Sequence, residues 1–253
     1  MTTNVRIGCA GWSIPSRHAS LFGPGESHLS RYATRFDVAE INSTFYRPHQ
    51  PKTFERWAAS VPRHFRFSAK LPKAITHEAR LHGTGDALTA FFDSLSGLGS
   101  RLGGVLVQLP PSLAFDARVA GRFLVMLRRR SSTRVAFEPR HASWFTPDAD
   151  RVLQRHAIAR VAADPAPVPE AAAPGGAGAT ARWRYWRLHG APRMYYSRYE
   201  DAALRGLADA VAGAASARAP AWCLFDNTAH GHAMEDAARL QALLARYAEA
   251  PPP

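Results

Sequence analysis

Ionisable and amide side chains in this chain recur at the ends of short apolar runs. Glu40 and Asn42 close the second such run, Lys70 the third and Gln108 the fourth. Glu138 and Arg140, with His141 next, close the fifth, and Asp164 closes the sixth. Arg187 and His189 close the seventh, and Asp226 and Asn227 the eighth. Carboxylates, imidazoles and cations in one place suit acid–base chemistry on an anion. Glu40 or Glu138 would be the base, and His77 or His189 would pass the proton. Lys70, Arg140 and Arg187 would hold the anion or stabilise developing negative charge. A Schiff base at Lys70 is one alternative. An orienting ion pair of Lys70 with Glu40 or Glu138 is the other, and the expected one. Trp12, Tyr46 and Trp144 follow the first, second and fifth runs. They offer a stacking wall for a base or sugar, or ordinary loop packing.

Each residue also has a purely structural reading. Glu138 and Arg140 can be a self-neutralising buried pair, Gln108 can satisfy backbone before Pro110, and His189 can be a core histidine. A divalent metal shell of Glu40, Glu138, Asp164, His189 and Asp226 is conceivable. Three cations in the same space argue against it, so no cofactor is expected. His230 and His232 read as a surface pair. No glycine-rich phosphate fingerprint is present, leaving strand-end cations as the expected anion contacts.

The runs that must carry these groups are Val5–Cys9, Val38–Asn42, Arg66–Lys70, Gly104–Leu109, Arg134–Glu138, Ala159–Ala163, Tyr185–His189 and Trp222–Asp226. They are near-continuously apolar, as strands buried on both faces of a parallel sheet are. Helix-like segments alternate with them: Leu29–Phe36, Thr53–Ser60, Asp86–Leu98, Ala117–Arg129, Asp148–His156, Asp201–Arg218 and Met234–Tyr247. Eight alternations predict one (β/α)8 barrel spanning residues 1–253, because one such barrel needs roughly 250 residues. The barrel brings the C-terminal strand ends together at one mouth. Alternation puts Glu40 with Asn42, Glu138 with Arg140, and Arg187 with His189 on shared faces. For the last strand, either Asp226 or Asn227 points inward. Residues 165–180, with Pro165, Pro167, Pro169, Pro174 and Gly175-Gly176, predict a Pro/Ala/Gly-rich loop in place of the sixth helix.

The composition fits this picture. Hydrophobic residues make up 46%, enough for a large core, and no window approaches a membrane span. No leader pattern opens the chain, and Cys9 and Cys223 read as reduced buried thiols, so a cytoplasmic protein is expected. The net charge of +12 attracts phosphates, making nucleic-acid binding an alternative. Lysine occurs only at 52, 70 and 73, so the excess is arginine spread along the chain. A solvated surface is the expected reading. The densest run, Arg128–Arg130, ends a predicted helix, where cations suit the dipole.

Taken together, the motifs resemble the YecE-like family, a domain of unknown function numbered seventy-two. The resemblance rests on Gly11-Trp12-Ser13, Glu40 to Tyr46, Lys70 with Thr76-His77-Glu78, and Gln108 to Pro111. It continues through Glu138-x-Arg140-His141 with Ser143-Trp144, Tyr185 to Gly190 and Phe225 to Thr228. Pro139 and Glu235-Asp236 depart from the family's usual residues. The resemblance implies a TIM-type barrel and no particular reaction. Three functions are expected to compete. One is an enzyme on a small anionic or phosphorylated substrate, with the reaction open among isomerase, lyase and hydrolase. The others are a nucleic-acid binder and a non-catalytic ligand- or partner-binding protein.

Overall fold

The computed structural model describes residues 4–174, 183–215 and 219–249. Its strands are β1 (Val5–Ala10), β2 (Val38–Ile41), β3 (Arg66–Lys70), β4 (Leu102–Gln108), β5 (Val135–Glu138), β6 (Ala159–Arg160), β7 (Ala162–Asp164), β8 (Arg184–Leu188) and β9 (Ala221–Phe225). All pairings are parallel, in the order β6-β5-β4-β3-β2-β1-β9-β8-β7. The expected sixth strand is present in two pieces. β6 pairs with β5, β7 pairs with β8, and Val161 between them donates its N–H to Phe137 O at 2.9 Å. Barrel strands are staggered, so a six-residue stretch serves one neighbour and then the other. The result is a nearly closed α/β barrel, interrupted at Val161.

Around it lie α1 (His28–Tyr32), α2 (Pro51–Ala59), α3 (Gly85–Leu95), α4 (Ala117–Arg130), α5 (Pro147–Arg155), α6 (Asp201–Ala214) and α7 (His232–Glu249). Their starts follow from local chemistry. Ser27, Asp116 and Thr146 accept backbone N–H groups of the first turns, and Pro51 and Pro147 occupy first-turn positions. α1 stops short of the expected Phe36 because Thr34 and Arg35 tighten to bonds three residues back. For α6 the expected end, Arg218, lies outside the described residues. Between β7 and β8 the described residues 165–174 hold only a 3-10 turn, Pro169–Ala171. The remainder of the expected loop, 175–180, lies outside the described residues. No described helix is long and apolar enough to cross a membrane.

The barrel interior is layered. At the N-terminal end, Trp183 and Trp222 meet edge to face at 5.0 Å. They reach across to β4, where a Cβ on Gly103 or Gly104 would stand 2.5 or 2.3 Å from their rings. Only glycine leaves that room. Val38, Leu106, Ala136, Val161, Tyr185 and Leu224 fill the next layer. Cys9 and Cys223, on neighbouring strands, are free and buried on the outer side. The buried carboxylates of the interior lie toward the C-terminal mouth.

Candidate functional site

Strand alternation carries Glu40, Ser68, Lys70, Glu138, Arg187 and Asp226 to the inside of the barrel. Arg187 is the centre of the cluster and is fully buried. Its Nε and Nη2 donate to the two oxygens of Glu40 at 3.0 and 2.6 Å. Nη1 donates to Glu138 Oε2 at 2.9 Å, and Nη2 also to Asp226 Oδ2 at 2.9 Å. One planar fork thus ties three strands' carboxylates together, the geometry that favours arginine over lysine. The Tyr185 hydroxyl lies 3.0 Å from both Glu40 Oε2 and Ser68 Oγ, which closes the network from below.

His189 extends the network toward solvent. Its Nδ1 is 3.1 Å from Asp226 Oδ2, and its Nε2 is 2.6 Å from Arg140 Nη2 and 3.1 Å from Glu138 Oε1. Arginine can only donate, so Nε2 accepts and Nδ1–H donates to Asp226. Arg140 also makes an ion pair with Glu138. Burial raises the Glu138 carboxyl, but Arg187 and then Arg140 outweigh it and hold it well below the usual range. Asp226 is lowered in the same way, with Arg187 outweighing burial. Burial lowers Arg187, and the carboxylates of Glu40, Glu138 and Asp226 more than restore it.

Lys70 stands apart. Its residue is only 5% exposed, yet Nζ makes no ion pair among the described residues and lies 4.2 Å over the Phe45 ring. Burial and then Arg187 pull its pKa from 10.5 to about 8, against the carboxylates. His77, on a π-helical turn Ala74–Glu78, packs edge-on to the same Phe45 ring at 5.0 Å. Burial, then Lys70 and Lys73, lower its pKa. The formal charges cancel: Glu40, Glu138 and Asp226 face Arg187, Arg140 and Lys70.

The geometry changes several expectations. Arg187 is not an anion contact, because it is unexposed and four of its donor bonds go to carboxylates. The orienting ion pair expected for Lys70 is absent, since Glu40 and Glu138 are turned to Arg187. Of the two final-strand candidates, Asp226 faces inward. Asn227 instead donates to Ser197 O and Asp236 Oδ2 at 3.0 and 2.8 Å, fixing a loop. Asp164 has the outward parity of Ala162, lines a cavity under α6, and contributes its carbonyl to His189 N at 2.7 Å. Asn42 begins a 3-10 turn rather than ending β2. Trp144 is no stacking wall: it is 1% exposed, donates Nε1 to Leu113 O and packs on Phe137 and Phe115. His141 accepts from Ser143 N and caps a short turn. Tyr46 is exposed, and Gln108 is half-buried beside Glu138 in register. Trp12 separates two clefts, of about 640 and 330 Å³; Asn42 lines the smaller. Neither cleft is lined by Lys70.

Sequence reasoning missed Tyr185, Ser68, Phe45 and Tyr195. The first two share a face with Arg187 and Lys70 and were available from alternation. Tyr195 was not. It sits in the loop after β8 at φ 70°, its N–H donates to His189 O, and its ring meets the His189 ring edge-on at 5.5 Å. A non-glycine residue in the left-handed region is strained, and here it places a phenol over the charged layer.

A nearly closed parallel barrel with one charge-balanced layer at its C-terminal mouth defines the class. The chain belongs to the family described as "Protein of unknown function DUF72", whose model matches residues 6–253. It is 31% identical over 170 residues to UPF0759 protein YecE of Escherichia coli (strain K12), covering 65% of this chain and 60% of that protein. It is 24% identical over 152 residues to UPF0759 protein YunF of Bacillus subtilis (strain 168), covering 56% of the chain and 53% of that protein. The matched stretches thus span somewhat over half the length of these relatives. A crystal structure of a DUF72 family protein from Enterococcus faecalis V583 superposes with TM-score 0.79 at 22% identity, covering 95% of each chain. One from Thermotoga maritima MSB8 gives 0.78 at 24% identity, covering 97% of this chain and 99% of that one. These likenesses show the fold.

Proposed function

We propose that the C-terminal mouth is an active site performing proton transfer on a small anionic substrate, with Lys70 as the base and Arg140 as the anion contact. The observation that carries this reading is the Lys70 amine. It is nearly buried, free of any ion pair among the described residues and poised at about 8. A base titrating near the working pH combines a populated neutral form with real proton affinity. Glu138 is unsuited to that role, because a carboxylate held far below its usual range binds a proton weakly. His189 orients Arg140 and is itself fixed by Asp226. When Lys70 takes up a proton, the ammonium forms beside the carboxylates of Glu40, Glu138 and Asp226, which favour it. His77, which packs on the same Phe45 ring as Lys70, is the group proposed to relay the proton onward.

The test reads Lys70 directly. Limited amine acylation followed by peptide mass spectrometry should label Lys70 with a half-maximal rate near pH 8. Phosphate, sulfate or pyruvate should protect it, and Arg140→Ala should abolish protection. Labelling that none of these anions slows would overturn the anion site. A midpoint near the ordinary lysine value, roughly 10.4, would overturn the poised base.

A further inference from the structure

The opposite end of the barrel carries charge that the proposed activity does not use. A cavity of about 670 Å³ opens there beside the starts of β5 and β6. Its cationic lining is Arg128, Arg134 and Arg155, with His156 beside them, and no Asp or Glu lines it among the described residues. Arg128 is already engaged: it donates to His156 O, Thr133 O and Ala157 O at 2.8, 2.7 and 2.9 Å. It braces the wall as a cation suited to helix C-termini. Arg134 and Arg155 are exposed. Trp183 forms part of the cavity wall at 2% exposure, and its Nε1 is a buried donor with no partner among the described residues. Buried polar groups are rarely left so, and each such group needs an account.

The surrounding charge has the same sign. Arg66 and Arg101 both donate Nη1 to one carbonyl, Arg63 O, at 3.0 and 2.9 Å, so two guanidinium groups crowd together. Arg6 stands nearby, paired with Asp37 at 2.7 Å. Arg66 is pushed down by burial and then by Arg6, Arg101 and Arg134, which ties Arg134 to this group. Like charges held together are what an anion would relieve. A solvated surface would instead let such side chains separate.

We propose that this N-terminal cavity is a second anion site, binding a small multivalent oxyanion of the phosphate class through Arg134 and Arg155. Two guanidinium forks and the Ser132 and Thr133 hydroxyls that line the cavity match phosphoryl oxygens. The site is independent of Lys70, which ends β3 at the other end of the barrel.

Isothermal titration with inorganic pyrophosphate tests it, at low and at physiological salt. The titration uses Arg140→Ala, which removes the proposed anion contact at the C-terminal mouth, and this protein should bind one equivalent saturably. Arg134→Ala and Arg155→Ala should each weaken binding at least tenfold, the loss expected for one charge-assisted contact. Both positions are exposed, so folding should survive, which circular dichroism verifies. Arg134→Lys should restore part of the affinity. Binding that persists when Arg134→Ala and Arg155→Ala are both added to Arg140→Ala, or that is absent from Arg140→Ala itself, overturns the proposal. So does the absence of saturable pyrophosphate binding by the wild type. A short DNA duplex that binds through Arg134 and Arg155 while pyrophosphate does not would also overturn it, and would assign this surface to nucleic acid.

Discussion

Arg187 and Lys70 point the same way along the barrel but have opposite fates. Arg187 is neutralised by three carboxylates, so removing it strands buried charge. Arg187→Met should cost about 3–5 kcal/mol, measured by urea denaturation, and Arg187→Lys should recover little because an ammonium cannot reproduce the fork. Lys70 behaves conversely. Its folded pKa of about 8 lies below the unfolded 10.5, so below pH 8 the folded state bears a charge that burial opposes. Between those values the unfolded chain binds the extra proton, and wild-type stability rises with pH. Lys70→Met should therefore raise stability at pH 7 by something on the order of 1–3 kcal/mol. The gain should shrink as pH climbs from 8 toward 10.5. A melting temperature for Lys70→Met at or below wild type at pH 7 would show that the ammonium is not strained.

At the scale of elements, the β1–β2 seam depends on α1. The Tyr32 hydroxyl accepts from Cys9 N at 2.7 Å and donates to Val38 O at 2.8 Å, bridging the two strands. The seam is also where β1 comes closest to β2. A Cβ at Gly8 would lie 1.9 Å from Val38 O. Tyr32→Phe leaves two buried backbone groups unsatisfied and should cost roughly 1–3 kcal/mol. Hydrogen exchange should locate the loss at Cys9 first. Uniform loss across the barrel would mean that the bridge is not local. Among elements, the strands were legible because buried parallel strands read as apolar runs. The sixth was legible as one run, but its division at Val161 was not, since stagger belongs to the assembled barrel.

For the whole molecule, acid should be the weak direction. Glu138 and Asp226 are lowered by Arg187, so the stability they contribute is present above the ordinary carboxylate range and lost as pH falls through their folded values. Melting temperature should fall steeply below about pH 4. The fall should be shallower in Arg187→Met, where those carboxylates lose the cation that lowers them; parallel curves would show the acid sensitivity arises elsewhere. The net charge of +12 is also unevenly placed. The C-terminal layer is balanced, whereas Arg6, Arg66, Arg101 and Arg134 share the N-terminal end with Asp37.

The sequence by itself determined the alternation of strands and helices, the barrel, and the concentration of ionisable groups at strand ends. These depend on local periodicity and chain order. Tertiary structure alone decided which charge partners which. Glu40 and Arg187 are 147 residues apart, and their bidentate contact exists only because barrel closure brings β2 and β8 to face one interior. The same closure consumed Arg187 as an anion ligand, left Lys70 without a partner, and chose Asp226 over Asn227. Spacing along a chain cannot report such outcomes, because an ion pair depends on distance in space and on every competing partner within reach.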